Sequence, residues 1–183
     1  MNDDLALIIE AAHAAGALAR DIRHNGLEVE HKEDNTPVTN ADLAADALLT
    51  ERLRSARPHY GWLSEETADA RDRLDCRRIF VVDPIDGTRA FLNDRPWWSV
   101  AIAVVEDGRA VAGVVFAPET GETYAAMAGQ GATRNGEAIR TSTTTVLEDC
   151  RMAGDPAIFR HPAWPRPWPA MRVEPRNSTA YRM

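Results

Sequence analysis

Apolar residues at Leu5, Ile8, Ile9, Ala12, Ala15, Ala19 and Ile22 recur at the three- and four-residue steps of a helix, and Asn25-Gly26 supplies a stop. The pattern predicts an amphipathic first helix lying over a sheet. Residues 27–31 then alternate as a short strand, and Lys32-Glu33-Asp34-Asn35-Thr36-Pro37 is polar, a loop or tight hairpin. A second helix is expected from Thr39, a good N-cap with Asp42 three residues on, and its buried side is Ala41, Ala45, Leu48, Leu49 and Leu53. On spacing alone, Thr39 and Asp42 read as a variant of the capping box.

Past Tyr60 the period drops to that of strands. Residues 60–63 form a short apolar run ending in Ser64-Glu65-Glu66-Thr67, and the polar residues 68–78 form a surface connection to a second run, Ile79-Phe80-Val81-Val82. Residues 98–105 and 110–116 are β-rich and meet through Glu106-Asp107-Gly108-Arg109, where Asp-Gly is the strongest short hairpin signal. Residues 122–127 and 131–134 continue the strands, and Asn135-Gly136 marks another turn. Two helices followed mainly by antiparallel strands make an α+β fold, with layered helices on a mainly antiparallel sheet. Six of the eleven prolines then fall between Pro156 and Pro175, with Trp164 and Trp168 among them, which predicts no regular element. That stretch reads as an irregular crossing between lobes in which the tryptophans bury, with a polyproline ligand for a partner domain as the alternative. Ser178-Thr179-Ala180-Tyr181-Arg182-Met183 begins like a helix.

With 183 residues and 44% apolar content, the chain can bury one substantial core, or a core with part of a second domain. A formal net charge of −7 without any basic run argues against a nucleic-acid polymer as partner. Cys76 and Cys150 are far apart and outside any C-x-x-C spacing, so they are expected as free core thiols of a reducing cytoplasm. The N-terminus lacks a basic leader, and no segment reaches the roughly 18 uninterrupted apolar residues that span a membrane, so the expected location is cytoplasmic with no membrane partner. His13 and His24 on the first helix receive no role.

The chemistry concentrates where the run Ile79-Phe80-Val81-Val82 enters Asp83-Pro84-Ile85-Asp86-Gly87-Thr88. Pro84 fixes its own φ and biases Asp83 towards an extended backbone, which predicts a rigid turn aiming both acids at one spot. Gly87 permits a close approach, and the amides of Gly87 and Thr88 open a short helix through Arg89-Ala90-Phe91-Leu92, where an anion such as phosphate is favoured. Glu65 and Glu66 also follow a strand, so two strands deliver acids to one rim. Glu65, Asp83 and Asp86, with the Ile85 carbonyl, form an oxygen-only set of the kind Mg²⁺ prefers at about 2.0–2.1 Å, with no Cys or His to indicate zinc. Hydrolysis of a phosphate monoester needs accelerations of up to about 10²¹, so it demands charge neutralisation and an activated water. Two ions about 3.5–4 Å apart can clamp the attacking and leaving oxygens.

These motifs are similar to those of the inositol monophosphatase family of Mg²⁺-dependent, lithium-sensitive phosphatases. The family signature D-P-x-D-G-T/S stands here as Asp83-Pro84-Ile85-Asp86-Gly87-Thr88, the strand with an acidic pair as Trp62-Leu63-Ser64-Glu65-Glu66-Thr67, and the segment K-x-D-x-x-x-V-T-x-A-D runs from Lys32 through Asp34, Val38 and Thr39 to Asp42. The resemblance covers essentially the whole chain, including the Gly129-Gln130-Gly131-Ala132 and Asn135-Gly136 turns. It implies that Glu65, Asp83, the Ile85 carbonyl and Asp86 bind metal, with Glu66 supporting. It further implies that Thr88 with Glu65 orients the attacking water, that the Gly87 and Thr88 amides hold phosphate, and that Asp42 stands near a further, weakly held ion. An intact family member would use two or three Mg²⁺. The substrate class implied is a small phosphate ester, inositol monophosphate first, with a 3′(2′),5′-bisphosphate nucleotidase or a histidinol-phosphatase as alternatives; a homodimer stays open.

Two departures from the family pattern stand out. Ser64 precedes the acidic pair where many relatives have glycine, a mild change to the local turn. The W-D-x-A-A/G motif of the family's second α/β lobe has no counterpart, since no Trp-Asp pair occurs. We therefore expect residues 1–149 to form the N-terminal metal- and phosphate-binding α+β lobe and residues 150–183 the start of a truncated C-terminal α/β lobe. The chain itself is then expected to be a poor catalyst that keeps one metal position. Haloacid-dehalogenase-like phosphatases also carry D-x-D-G-T with a nucleophilic first Asp, but here two residues separate the acids rather than one. The remaining reading is a metal-binding interaction module without catalysis.

Overall fold

The computed structural model describes residues 3–31, 36–175 and 178–182. Lys32, Glu33, Asp34, Asn35 and Met183, which carry parts of the expected loop, the first family segment and the terminal helix, lie outside those residues. Helix α1, Asp3–Asn25, buries a stripe of small residues, Ala11, Ala12, Ala15, Gly16 and Ala19. Small side chains let the helix lie close: a Cβ built on Gly16 would stand 2.7 Å from the Phe116 ring and from Pro118. After the antiparallel pair β1, Val29–His31, and β2, Pro37–Thr39, helix α2 runs Asn40–Ala56. Its fully buried Leu49 and Leu53 join Ile8 in one core.

The main sheet has seven strands in chain order: β3, Gly61–Ser64; β4, Arg78–Asp86; β5, Ser99–Glu106; β6, Arg109–Ala117; β7, Glu122–Met127; β8, Gly131–Arg134; and β9, Glu137–Ile139. Only β3 and β4 pair parallel; every other neighbour is antiparallel, as the two hairpin turns require. Asp107-Gly108 and Asn135-Gly136 both take positive φ, the conformation that two-residue turns matching strand twist demand. Helices α1 and α2 cover one face of the sheet. There, alternate residues Phe80, Val82, Val100, Ile102, Val104 and Val114 are buried against them. The opposite face carries Ala101, Ala103, Gly113 and Ala126 and opens into a cavity of about 1210 Å³, roofed in part by residues 148–153.

Several expectations need correction. The chain does not turn at Asp83-Pro84: β4 continues to Asp86, and the register with β5 slips between Asp83↔Ala101 and Asp86↔Ser99. Pro84 has no N–H to give to the ladder, so an extra residue is accommodated as a bulge that bends the strand without ending it. The stretch after 150 is not wholly irregular. Strand β10, Arg151–Ala153, pairs parallel with β11, Arg172–Glu174, two pieces too short for a periodic pattern to reveal. Trp164 is 44% exposed rather than buried, although it stacks edge-on with Trp168, which does the same with Phe159. The cysteines are half-buried free thiols and not core residues. Ala180–Arg182 is a 3₁₀ turn.

Candidate active site

Parallel pairing of β3 with β4 ends both strands at the same rim. Ser64 is opposite Val82, and the Glu65 amide extends the ladder by donating to the Val82 carbonyl at 3.2 Å, which brings Glu65 level with Asp83. Two acids at adjacent strand ends, with Asp86 three residues beyond the first, share one electrostatic field. Burial pushes the Asp83 carboxyl up to about 8 from its ordinary 3.8; the charges of Glu65 and Asp86 add to this, a hydrogen bond with Glu65 acts in the same sense, and Asp42 contributes last. The Asp83 Oδ1 atom is buried and has no hydrogen-bond partner among the described residues. An orphaned carboxylate oxygen among acids is costly unless a cation completes it.

Asp42 reaches the same field from the first turn of α2. It is 1% exposed, and the capping reading holds: the Thr39 amide and hydroxyl donate to its Oδ2 at 2.8 and 2.5 Å, while the Asp42 amide donates to Thr39 Oγ1 at 3.2 Å. This is a closed capping box. Burial pushes the Asp42 carboxyl up to about 6, the Thr39 bonds oppose the shift, and Glu66 reinforces it.

Asp86 is held differently. Ser178 Oγ donates to Asp86 Oδ2, as does the Ala180 amide at 2.6 Å, and the Thr179 amide donates to Oδ1 at 3.0 Å. The carboxylate thus caps the 3₁₀ turn at Ala180–Arg182, where unpaired amides favour a negative charge. Three donors occupy a group with about four acceptor sites, leaving roughly one for a ligand. Ser178, fully buried, also bonds Ser99 Oγ at 3.0 Å and accepts from the Tyr181 amide at 2.9 Å. Gly87 has φ 95°, and a Cβ there would lie 3.0 Å from the Trp97 carbonyl and 3.3 Å from Ser178, so only glycine suits the position.

Gly87 then opens α3, Thr88–Leu92. Thr88 Oγ1 donates to the Ile85 carbonyl at 3.2 Å, which commits the hydroxyl proton and leaves the oxygen as an acceptor. Of the expected site residues, Glu65, Asp83, Asp86 and Asp42 are therefore brought to one rim with Glu66 beside Asp42, and Ile85, Gly87 and Thr88 adjoin it. Among the described residues, no three acidic, imidazole or thiol groups already converge as a ready metal-binding cluster. Sequence reasoning missed Ser178, Thr179 and Ala180, whose bond to Asp86 spans more than ninety positions and leaves no local signal. It also missed Asp46, which stands one helical turn after Asp42, and that same-face spacing was the one signal available for it.

Comparison with known proteins identifies relatives of the whole chain. Residues 2–179 match the model of the inositol monophosphatase family. A 3′(2′),5′-bisphosphate nucleotidase CysQ of Aggregatibacter actinomycetemcomitans is 42% identical over 127 residues, 68% of this chain and 47% of the relative. An inositol-1-monophosphatase of Rhizobium meliloti is 36% identical over 159 residues, 85% of this chain and 59% of the relative. The solved structure of a Thermotoga maritima IMPase superposes with a TM-score of 0.82 at 28% identity, over 97% of this chain and 70% of that one. The chain thus spans about half to three-fifths of the length of these curated relatives. No helix among the described residues is long and apolar enough to cross a membrane. With the family model matched over residues 2–179, relatives above 30% identity and a shared layered α+β fold, the chain belongs to the inositol monophosphatase family.

Proposed function

We propose that this chain carries the metal- and phosphate-binding half of a Mg²⁺-dependent phosphomonoesterase acting on a small phosphorylated substrate, inositol monophosphate first. The observation that supports it most is Asp83 Oδ1, buried, unpartnered among the described residues and in the field of Glu65, Asp86 and Asp42. Such an oxygen suits a hard cation, and the donor set around it is all oxygen. Glu65, Asp83, the Ile85 carbonyl and Asp86 would hold Mg²⁺, with Glu66 supporting and Asp42 beside a weaker second or third ion. When bound, Mg²⁺ would supply positive charge for the phosphoryl oxygens and acidify a water.

The remaining work falls to the chain's own groups. Thr88, whose hydroxyl donates to the Ile85 carbonyl, accepts a hydrogen bond from the attacking water, and Glu65 sets that water's orientation. The first-turn amides at Gly87 and Thr88 take the phosphate oxygens. Ser178, Thr179 and Ala180 fix the rotamer of Asp86. A bisphosphate nucleotidase is the second reading, favoured by the 42% identity to the CysQ relative. We assign residues 1–149 to the catalytic α+β lobe and residues 150–183 to the opening of a second α/β lobe; the separate β10–β11 pair supports the division. A cytoplasmic location is part of the same reading.

Phosphate release from inositol 1-phosphate and from adenosine 3′,5′-bisphosphate, with Mg²⁺ and with a chelator, tests the proposal. The expected result is slow Mg²⁺-dependent release, faster for the inositol ester, that Asp83→Asn removes. Release that persists in the chelator would sink it.

A further inference from the structure

Asp46 lies on the same face of α2 as Asp42 and is 8% exposed. Its Oδ1 accepts from Ser64 Oγ at 2.5 Å and its Oδ2 from Thr67 Oγ1 at 2.6 Å. Ser64 and Thr67 are the two ends of the turn that holds Glu65 and Glu66. Inside the turn, the Glu66 amide donates to Ser64 Oγ at 3.3 Å, and the Glu65 amide donates to the Val82 carbonyl at 3.2 Å. One carboxylate therefore fastens both ends of the acidic turn to α2, and β4 fastens its middle.

We propose that Asp46 is a positioning residue: it braces the turn Ser64-Glu65-Glu66-Thr67 and so aims the two glutamates at the Asp83 rim. The proposal rests on the reading of that rim as a cation site. An ionised carboxylate only accepts hydrogen bonds, so it forces both hydroxyls to act as donors. Ser64 Oγ is then free to accept from the Glu66 amide, and all the bonds of the turn run in one consistent direction. A neutral amide at this position would face one hydroxyl with its own N–H groups and reverse that order. Among the described residues no guanidinium or ammonium is seen on Asp46, so two charge-assisted bonds offset its burial. The hydroxyl of Ser64 is thus one arm of the brace, and glycine in its place would release that arm.

Thr67 is exposed, so its substitution spares the core. The test is a Mn²⁺ titration of the purified 183-residue chain, followed by electron paramagnetic resonance of the free ion, with amide hydrogen exchange measured across residues 64–67. Thr67→Val and Asp46→Asn should each weaken Mn²⁺ binding about tenfold, the usual scale for groups that orient ligands, and Thr67→Ser should restore it. The Glu66 amide should exchange faster in Thr67→Val. If the unaltered chain binds Mn²⁺ and both variants bind it equally well, the brace is refuted whatever the exchange shows. If the unaltered chain binds no Mn²⁺, the cation-site reading fails, and unchanged Glu66 exchange in Thr67→Val would refute the brace on its own.

Discussion

Strand β4 carries a charged group near each end, and the two ends solve opposite problems. At its start, Arg78 donates to Asp4, which also receives Arg57 and the Tyr60 hydroxyl at 2.8–3.0 Å. Asp4 is 3% exposed, and its charge is answered by two guanidiniums from α2's end and from the strand itself. Towards the other end, Asp83 lies in the field of Glu65, Asp86 and Asp42, and one of its oxygens has no partner among the described residues. The first carboxylate is completed by the fold; the second keeps an oxygen that no described group closes. A carboxylate's role is thus read from what closes its lone pairs, since residue type alone does not separate Asp4 on α1 from Asp83 on β4.

The largest effect should come from breaking the closed end. Asp4→Ala takes the shared acceptor from Arg57, Arg78 and the Tyr60 hydroxyl, and because both guanidiniums stay in contact with water the cost is about 3 kcal/mol, the low end for a buried pair. A urea melt of the variant should show that loss, and Mg²⁺ should not recover it. A loss below about 1 kcal/mol would mean that the cluster is a surface pair of the weak kind.

The open end should respond with the opposite sign. Asp83→Asn removes a charge held among like charges and should stabilise the cation-free chain, on the order of 2 kcal/mol at pH 8 to 9. The pH dependence has a definite direction. The folded-state value near 8 lies above the ordinary 3.8, so the folded chain holds a proton that the unfolded chain has released. The contribution is fully present below about pH 4 and is lost as pH rises through about 8. Urea midpoints without divalent ions should therefore fall between pH 5 and 9, Asp83→Asn should flatten that fall, and Mg²⁺ should raise the midpoint more at pH 9 than at pH 5. An identical slope in the variant would mean that another group carries it.

Much of this was legible in the residues, and the failures share a cause. Helices, hairpins and the acidic strand ends follow from local periodicity and from Asp-Gly and Asn-Gly turns, whose demands are met within a few residues. Pro84 misled because proline's local preference for a turn was overridden by strand pairing on both sides, which absorbed it as a bulge. The grip of Ser178, Thr179 and Ala180 on Asp86 and the fastening of Ser64 and Thr67 by Asp46 are contacts between distant segments, made by residue types that are ordinary on any surface. Asp4 is a further case: it receives no role from the sequence, yet it is the buried centre of a cluster with Arg57, Arg78 and Tyr60 drawn from distant segments.

Asp42 stands between the two extremes, and the smallest predicted effect exploits that. Its Oδ2 is closed by Thr39 as part of the capping box, yet its carboxyl is still pushed up to about 6 by burial and by Glu66. Thr39→Ala should cost about 1 kcal/mol of stability through the lost cap. The same substitution withdraws one of the donors that hold the Asp42 shift in check, so the titration midpoint of the Asp42 carboxyl, followed by carbon NMR, should move above its starting value. Thr39→Ser keeps the hydroxyl and should return both stability and midpoint. If the cap were the whole of Asp42's role, Mg²⁺ would leave that midpoint in place. If Asp42 also serves the rim, as its field with Asp83 implies, Mg²⁺ should draw the midpoint down in the unaltered chain and in Thr39→Ala alike, because a cation favours the ionised form whether or not the cap is intact.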